Sequence, residues 1–136
     1  MIIKYMGKTI SDLASEEIRH RIAKSGNFSD LSSHLIAGRE YKVFALSRWG
    51  DGGMRAYVHS LEECSFPSPY PLELFEIVDS LISKDWVANS ISNSTEENSL
   101  VISFREWALD ETFYERLVDG DLEFTAIYKK YFADSR

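Results

Sequence analysis

Cys64 is the only cysteine of the chain, so no disulfide can form within it. A lone thiol fits a reducing, cytoplasmic setting. The three histidines, His20, His34 and His59, stand apart, and none shares metal-ligand spacing with another ligating residue; no metal and no cofactor is expected. No apolar run approaches the roughly 20 residues that cross a bilayer. Met1–Arg21 lacks a cationic region followed by a long apolar run, which predicts neither a signal peptide nor a membrane span. Bases are the scarcer charge. Fifteen Lys and Arg face 22 Asp and Glu, and the net charge of −7 argues against nucleic acid and anionic membranes as partners.

What is present suffices for one core. A chain of 136 residues with 44% hydrophobic and 13% aromatic content reads as a single domain over 1–136. The charge is segregated. Between Glu96 and Glu123 lie nine acids and two bases, Arg105 and Arg116, so this segment carries the entire imbalance.

Local patterns predict an α+β fold. A helix is expected from Ser11 to Gly26, with Ser11 as its cap, Leu13, Ala14, Ile18 and Ile22 as its apolar stripe, and Glu17 paired with Arg21. "EYKVFALSRW" and "MRAYVHSL" alternate as strands about a Gly50–Gly53 hairpin loop, the first apolar on both faces and therefore central. "DWVANSI" and "SLVISFREW" form two more strands around a polar loop, Asn89–Ser99. Two helices close the chain, one capped by Asp110 with Phe113, Tyr114, Leu117 and Val118 as its stripe. The other is capped by Asp121 and carries Phe124, Ile127, Tyr128 and Tyr131. Strands without intervening helices favour an antiparallel sheet of about four to five strands, covered on one face by the N-terminal helix and two C-terminal helices.

All three prolines fall in "FPSPYP", Phe66 to Pro71. Proline donates no ladder hydrogen bond, so this segment is expected outside the ladder, extended along the rim of the sheet. The apolar run behind it, Leu72–Val78, then packs against the sheet or the last helices.

Catalytic constellations are scarce. Cys64 follows two glutamates, an unfavourable setting for a nucleophilic thiolate. Asp119–Phe124 begins like a calcium loop, but Phe124 occupies the position that needs glycine and Lys130 the one that needs glutamate. It reads as a helix end followed by a new cap. Glu73, Glu76 and Asp79, and Glu106 with Asp110, could supply acid–base pairs, and a cleft beside Asp79 and Asp85 could host a carboxylate-based hydrolase.

Three stretches, "YKVFALSRW", "YPLELFEIVDSLISKDWV" and "ISFREWALDETFYERLVDGD", together resemble small bacterial immunity proteins of contact-dependent growth inhibition and other polymorphic toxin systems. The similarity covers about Tyr41 to Asp121. It implies a cytoplasmic protein that is not an enzyme and that occludes a cognate toxin C-terminal domain, typically a nuclease with a basic cleft. An acidic chain suits such a partner through electrostatic steering. The charge segregation selects Glu106, Asp110, Glu111, Glu115, Asp119, Asp121 and Glu123 as partner-binding residues, with Trp107 and Tyr114 as aromatic anchors. A small ligand-sensing or adaptor domain and the carboxylate hydrolase are the alternative readings.

Overall fold

The computed structural model describes residues 1–25, 31, 34–49, 53–90 and 98–133. Its longest strand, β2 (Glu40–Trp49), is buried from Val43 to Ser47 and forms the spine of the sheet, as its apolar residues on both faces require. β3 (Met54–Val58) lies along one side of it, paired from Val43↔Val58 to Arg48↔Met54. Trp49 N–H donates to the Gly53 carbonyl at 2.9 Å, closing the hairpin; Gly50–Gly52 lie outside the described residues.

The other side of β2 is shared by two strands. β1 (Ile2–Tyr5) pairs with Glu40–Lys42, and β7 (Asn98–Phe104) pairs with Ala45–Trp49. Both run antiparallel to β2, so the end of β7 meets the start of β1 at Val43–Phe44. The sheet forks there. β5 (Phe75–Asp79) adds to β1, and β6 (Trp86–Ser90) adds to β7. Every pairing is antiparallel, and seven strands occur among the described residues, so the α+β class holds with a larger sheet than the sequence suggested.

One added strand is the proline segment itself. β4 (Ser68–Pro71) pairs with β3 from Ser68↔Val58 to Pro71↔Arg55. The expectation of a segment outside the ladder is therefore corrected. Side chains and N–H groups alternate along a strand, so Pro69 and Pro71 both place their missing donors on the same edge, away from β3. Just beyond Pro71 a 3₁₀ turn at Leu72–Leu74 leads the chain into β5.

Helices cover both faces rather than one. α1 (Glu16–Ser25) packs Ile22 and Ile18 against Ile3, Val43, Leu46, Val58 and Leu74. α2 (Arg105–Ala108), α3 (Phe113–Val118) and α4 (Leu122–Ala133) pack Trp107, Phe113, Leu117, Phe124 and Tyr128 against Phe44, Tyr57 and Phe104. β3 shows the division directly, because Ala56 and Val58 belong to the first cluster and Tyr57 to the second. A bulge at Phe44, where the β2–β3 register shifts, delivers both Phe44 and Ala45 to the second cluster.

The N-terminal helix starts later than expected. Ser11 lies in a 3₁₀ turn (Ile10–Asp12), and the Ile18 N–H donates to Ser15 Oγ at 3.2 Å. Arg21 ion-pairs with Glu73 across the fold rather than with Glu17. The expected stop at Gly26 lies outside the described residues.

Candidate functional site

The acidic segment is displayed by elements too short to persist alone. A four-residue α2 and a six-residue α3 are far below the length at which isolated helices form. Aromatic packing holds them. The Trp107 indole stacks on Phe113 (5.4 Å between centroids) and Tyr114 (5.5 Å) and meets Tyr57 edge-on at 5.0 Å. Such pairs add about 0.5–1.5 kcal/mol each beyond the area they bury. The turn between α3 and α4 is fixed by hydrogen bonds. Gly120 adopts φ +82°, its N–H donates to Leu117 O, and Asp121 N–H donates to Arg116 O, a Schellman closure. This arrangement replaces any calcium-loop reading of Asp119–Phe124.

The nine residues singled out by charge divide by role. Trp107 is only 4% exposed and belongs to the core. Tyr114 is half-buried, its hydroxyl donates to Pro67 O at 2.8 Å, and burial holds its phenol above the ordinary range. Both aromatics are explained by packing. Their acidic neighbours concealed this in the sequence, although Trp107, Phe113 and Leu117 all lie buried together. Glu106 accepts a hydrogen bond from Tyr131 Oη at 2.8 Å; burial first, and then this carboxylate, pushes the Tyr131 phenol up to about 12. Asp110 Oδ1 accepts from the Thr112 N–H (2.9 Å) and hydroxyl (2.7 Å), and Asp121 Oδ1 accepts from the Glu123 N–H at 3.0 Å. The two aspartates therefore set turns, close to the capping roles expected of them.

Glu111, Glu115, Asp119 and Glu123 are exposed. Glu115 and Asp119 are one helical turn apart, joined by the Asp119 N–H to Glu115 O bond, and so share a face. Leu109, Val118 and Leu122 are exposed in the same stretch, Leu122 at 86%. Of the segment's two bases, Arg116 lies over the Phe124 ring at 5.3 Å, and Arg105 turns to a cleft elsewhere.

That cleft opens at the sheet fork. β5 ends opposite Ile2 and β6 begins opposite Phe104, so their connection, Ser80–Asp85, spans the gap between β1 and β7. The resulting cavity of about 580 Å³ has an aromatic wall of Phe44, Trp86, Phe104 and Tyr131. Phe104 and Tyr131 stack at 3.9 Å. Asp79 and Asp85 both line it, as the sequence placed them, with Asp79 Oδ1 accepting from the Leu81 N–H at 3.0 Å. Glu73, in contrast, is committed to Arg21.

His59 forms a separate cluster. Its Nδ1 lies 2.9 Å from Tyr128 Oη, and its ring packs on Tyr128 and Phe132. Burial pulls the imidazole below its ordinary value of 6.5, against weaker opposing effects of the Cys64 backbone and Glu62. Among the described residues, no group of three or more His, Cys, Asp or Glu could hold a metal ion, and no helix is long and apolar enough to cross a membrane.

No protein-family model matches the chain, and neither a curated protein nor a solved structure gives a significant match.

Proposed function

We propose that this protein is a cytoplasmic, non-catalytic immunity protein that binds the C-terminal domain of a cognate bacterial toxin, a nuclease with a basic substrate cleft, and occludes it. The observation that carries this reading is the segregation of charge onto the α2–α4 ridge. Arg105–Glu123 holds seven acids against two bases, and Glu111, Glu115, Asp119 and Glu123 project from it into solvent. A basic cleft shaped for a phosphate backbone attracts such a surface and accelerates encounter. Nanomolar affinity needs about 12 kcal/mol, more than steering supplies. Exposed Leu109, Val118 and Leu122 offer apolar contact amid the acids, where binding energy concentrates once water is excluded. The ridge is held by stacked aromatic rings, so little ordering cost falls on association.

The test is growth protection. The domain encoded immediately upstream is expressed with and without this chain, and growth is expected to fail without it and recover with it. A Glu111→Lys/Glu115→Lys/Asp119→Lys variant, shown to be folded by circular dichroism, is expected to lose protection. Equal protection by that variant would remove the ridge from the interface. A harmless upstream domain would remove the immunity reading itself.

A further inference from the structure

We propose that the cleft at the sheet fork is a binding site for a small organic monoanion with a flat apolar body, such as an aromatic carboxylate. This inference is independent of toxin binding and uses none of the exposed ridge acids.

The backbone makes the cavity. Val43 N–H donates to Met1 O, and Ser103 Oγ donates to Phe44 O at 2.6 Å, so β2 is held on both sides of the point where β1 and β7 part. Between those anchors neither β1 nor β7 pairs with β2, so the side opposite β3 is open there, and the connection Ser80–Asp85 bridges the opening. The volume of about 580 Å³ falls within the range of small-molecule sites. Half-buried Trp86 and Tyr131, the latter backed by the buried Phe104 ring, supply a wall suited to a flat ring. Leu81 and Ile82 line the mouth while remaining 77% and 47% exposed, which leaves apolar surface for a ligand to cover.

Charge selects the head group. Lys42, Lys84 and Arg105 line the cleft together with Asp79 and Asp85, one net positive charge in a chain of −7. Lys42 is tethered to Tyr131 O at 2.9 Å. Lys84 and Arg105 form no ion pair among the described residues. Arg105 opens α2 beside the aromatic wall, where its planar guanidinium suits bidentate contact with a carboxylate. The two aspartates repel a second negative charge, so a phosphate monoester fits less well than a carboxylate or sulfonate.

The full chain is titrated with 1-anilinonaphthalene-8-sulfonate, an aromatic monoanion, by fluorescence and by calorimetry. Saturable binding of one probe per chain is expected, displaced by 2-naphthoate and not by phenyl phosphate. The uncharged N-phenyl-1-naphthylamine is expected to bind at least about tenfold more weakly. Lys84→Ala/Arg105→Ala removes two exposed side chains and is expected to weaken the sulfonate about tenfold or more without altering the urea midpoint. Leu81→Glu, which adds a carboxylate at the mouth, is expected to act in the same direction. Absence of saturable binding overturns the proposal. So does equal affinity for the uncharged probe, or an unchanged affinity in both variants. Displacement by phenyl phosphate as effective as that by 2-naphthoate overturns the monoanion assignment.

Discussion

The two faces of the sheet are packed by different chemistry. On the α1 face the core is largely aliphatic, with Ile3, Ile22, Leu35, Val43, Leu46, Val58 and Leu74 around three tyrosines. On the opposite face Phe44, Tyr57, Phe104, Trp107, Phe113, Phe124 and Tyr128 dominate. The aliphatic face is covered by a ten-residue helix that can contribute its own hydrogen-bonded turns, whereas the aromatic face is covered in part by helices of four and six residues. Large rings with few rotatable bonds give those short pieces a fixed seat. The face with the weaker helices therefore needs the stiffer core, and it is the one that displays the acids.

The sharpest way to break this comparison is to remove one large side chain from each face. Trp107→Ala deletes the ring that joins Tyr57, Phe104, Phe113 and Tyr114, and is expected to cost about 3–5 kcal/mol. Near-UV dichroism should collapse with it, because the stacked array is lost. Leu74→Ala, on the aliphatic face, is expected to cost about 2–5 kcal/mol while leaving the near-UV signal nearly intact. Urea denaturation of both variants supplies the numbers. Equal loss of the near-UV signal would show that the two cores behave as one.

Gly120 tests the ridge at its turn rather than its core. An added Cβ would meet no atom within 4 Å, so Gly120→Ala strains only the backbone at φ +82°. The expected cost is about 1–2 kcal/mol, read from the urea midpoint. A neutral result would mean that the Schellman turn does not hold α3 to α4.

How far the sequence foretold this arrangement depends on how local each feature is. β2, β3, β6 and β7 were legible because apolar and polar residues alternate within them, and β2 announced its central place by being apolar on both faces. The α4 stripe of Phe124, Ile127, Tyr128 and Tyr131 was equally plain. β4 was hidden by its prolines, whose spacing of two is what admits them to an edge. β5 was hidden because Leu72–Val78 suits a helix or a strand until β1 pairs with it. The fork could not be read at all, since it arises from two distant strands sharing one side of β2. Trp107 and Tyr114 were read as surface anchors because charge surrounds them in sequence. In space their neighbours are rings.

A smaller effect separates the faces by pH. His59 sits at the margin of the aromatic face, against Tyr128 and Phe132, with Glu62 the acid acting on it. Burial disfavours its imidazolium, so the unfolded chain binds this proton more readily than the folded one. Stability should then be fully present above the ordinary value of 6.5 and fall as pH drops through it toward the lower folded value. Urea midpoints from about pH 7.5 to about 5.5 should show that decline, and His59→Phe should flatten it. An unchanged slope in the variant would place the titrating group elsewhere.

The smallest expected change in stability bears most directly on what the ridge is for. Asp119 caps the C-terminal end of α3, where the helix dipole favours a base, and it stands one turn from Glu115 in a region already crowded with acids. Both effects oppose a carboxylate at that position. Asp119→Lys is therefore expected to stabilise the fold, by about 0.3–1 kcal/mol at low salt and less as salt screens it. The same substitution is expected to weaken protection in the growth assay. Opposite signs in the two measurements would mean that the charge is kept at a small cost to folding, as a binding surface requires. A loss of stability on substitution would instead make Asp119 a structural residue, and the ridge would lose one of its four exposed acids.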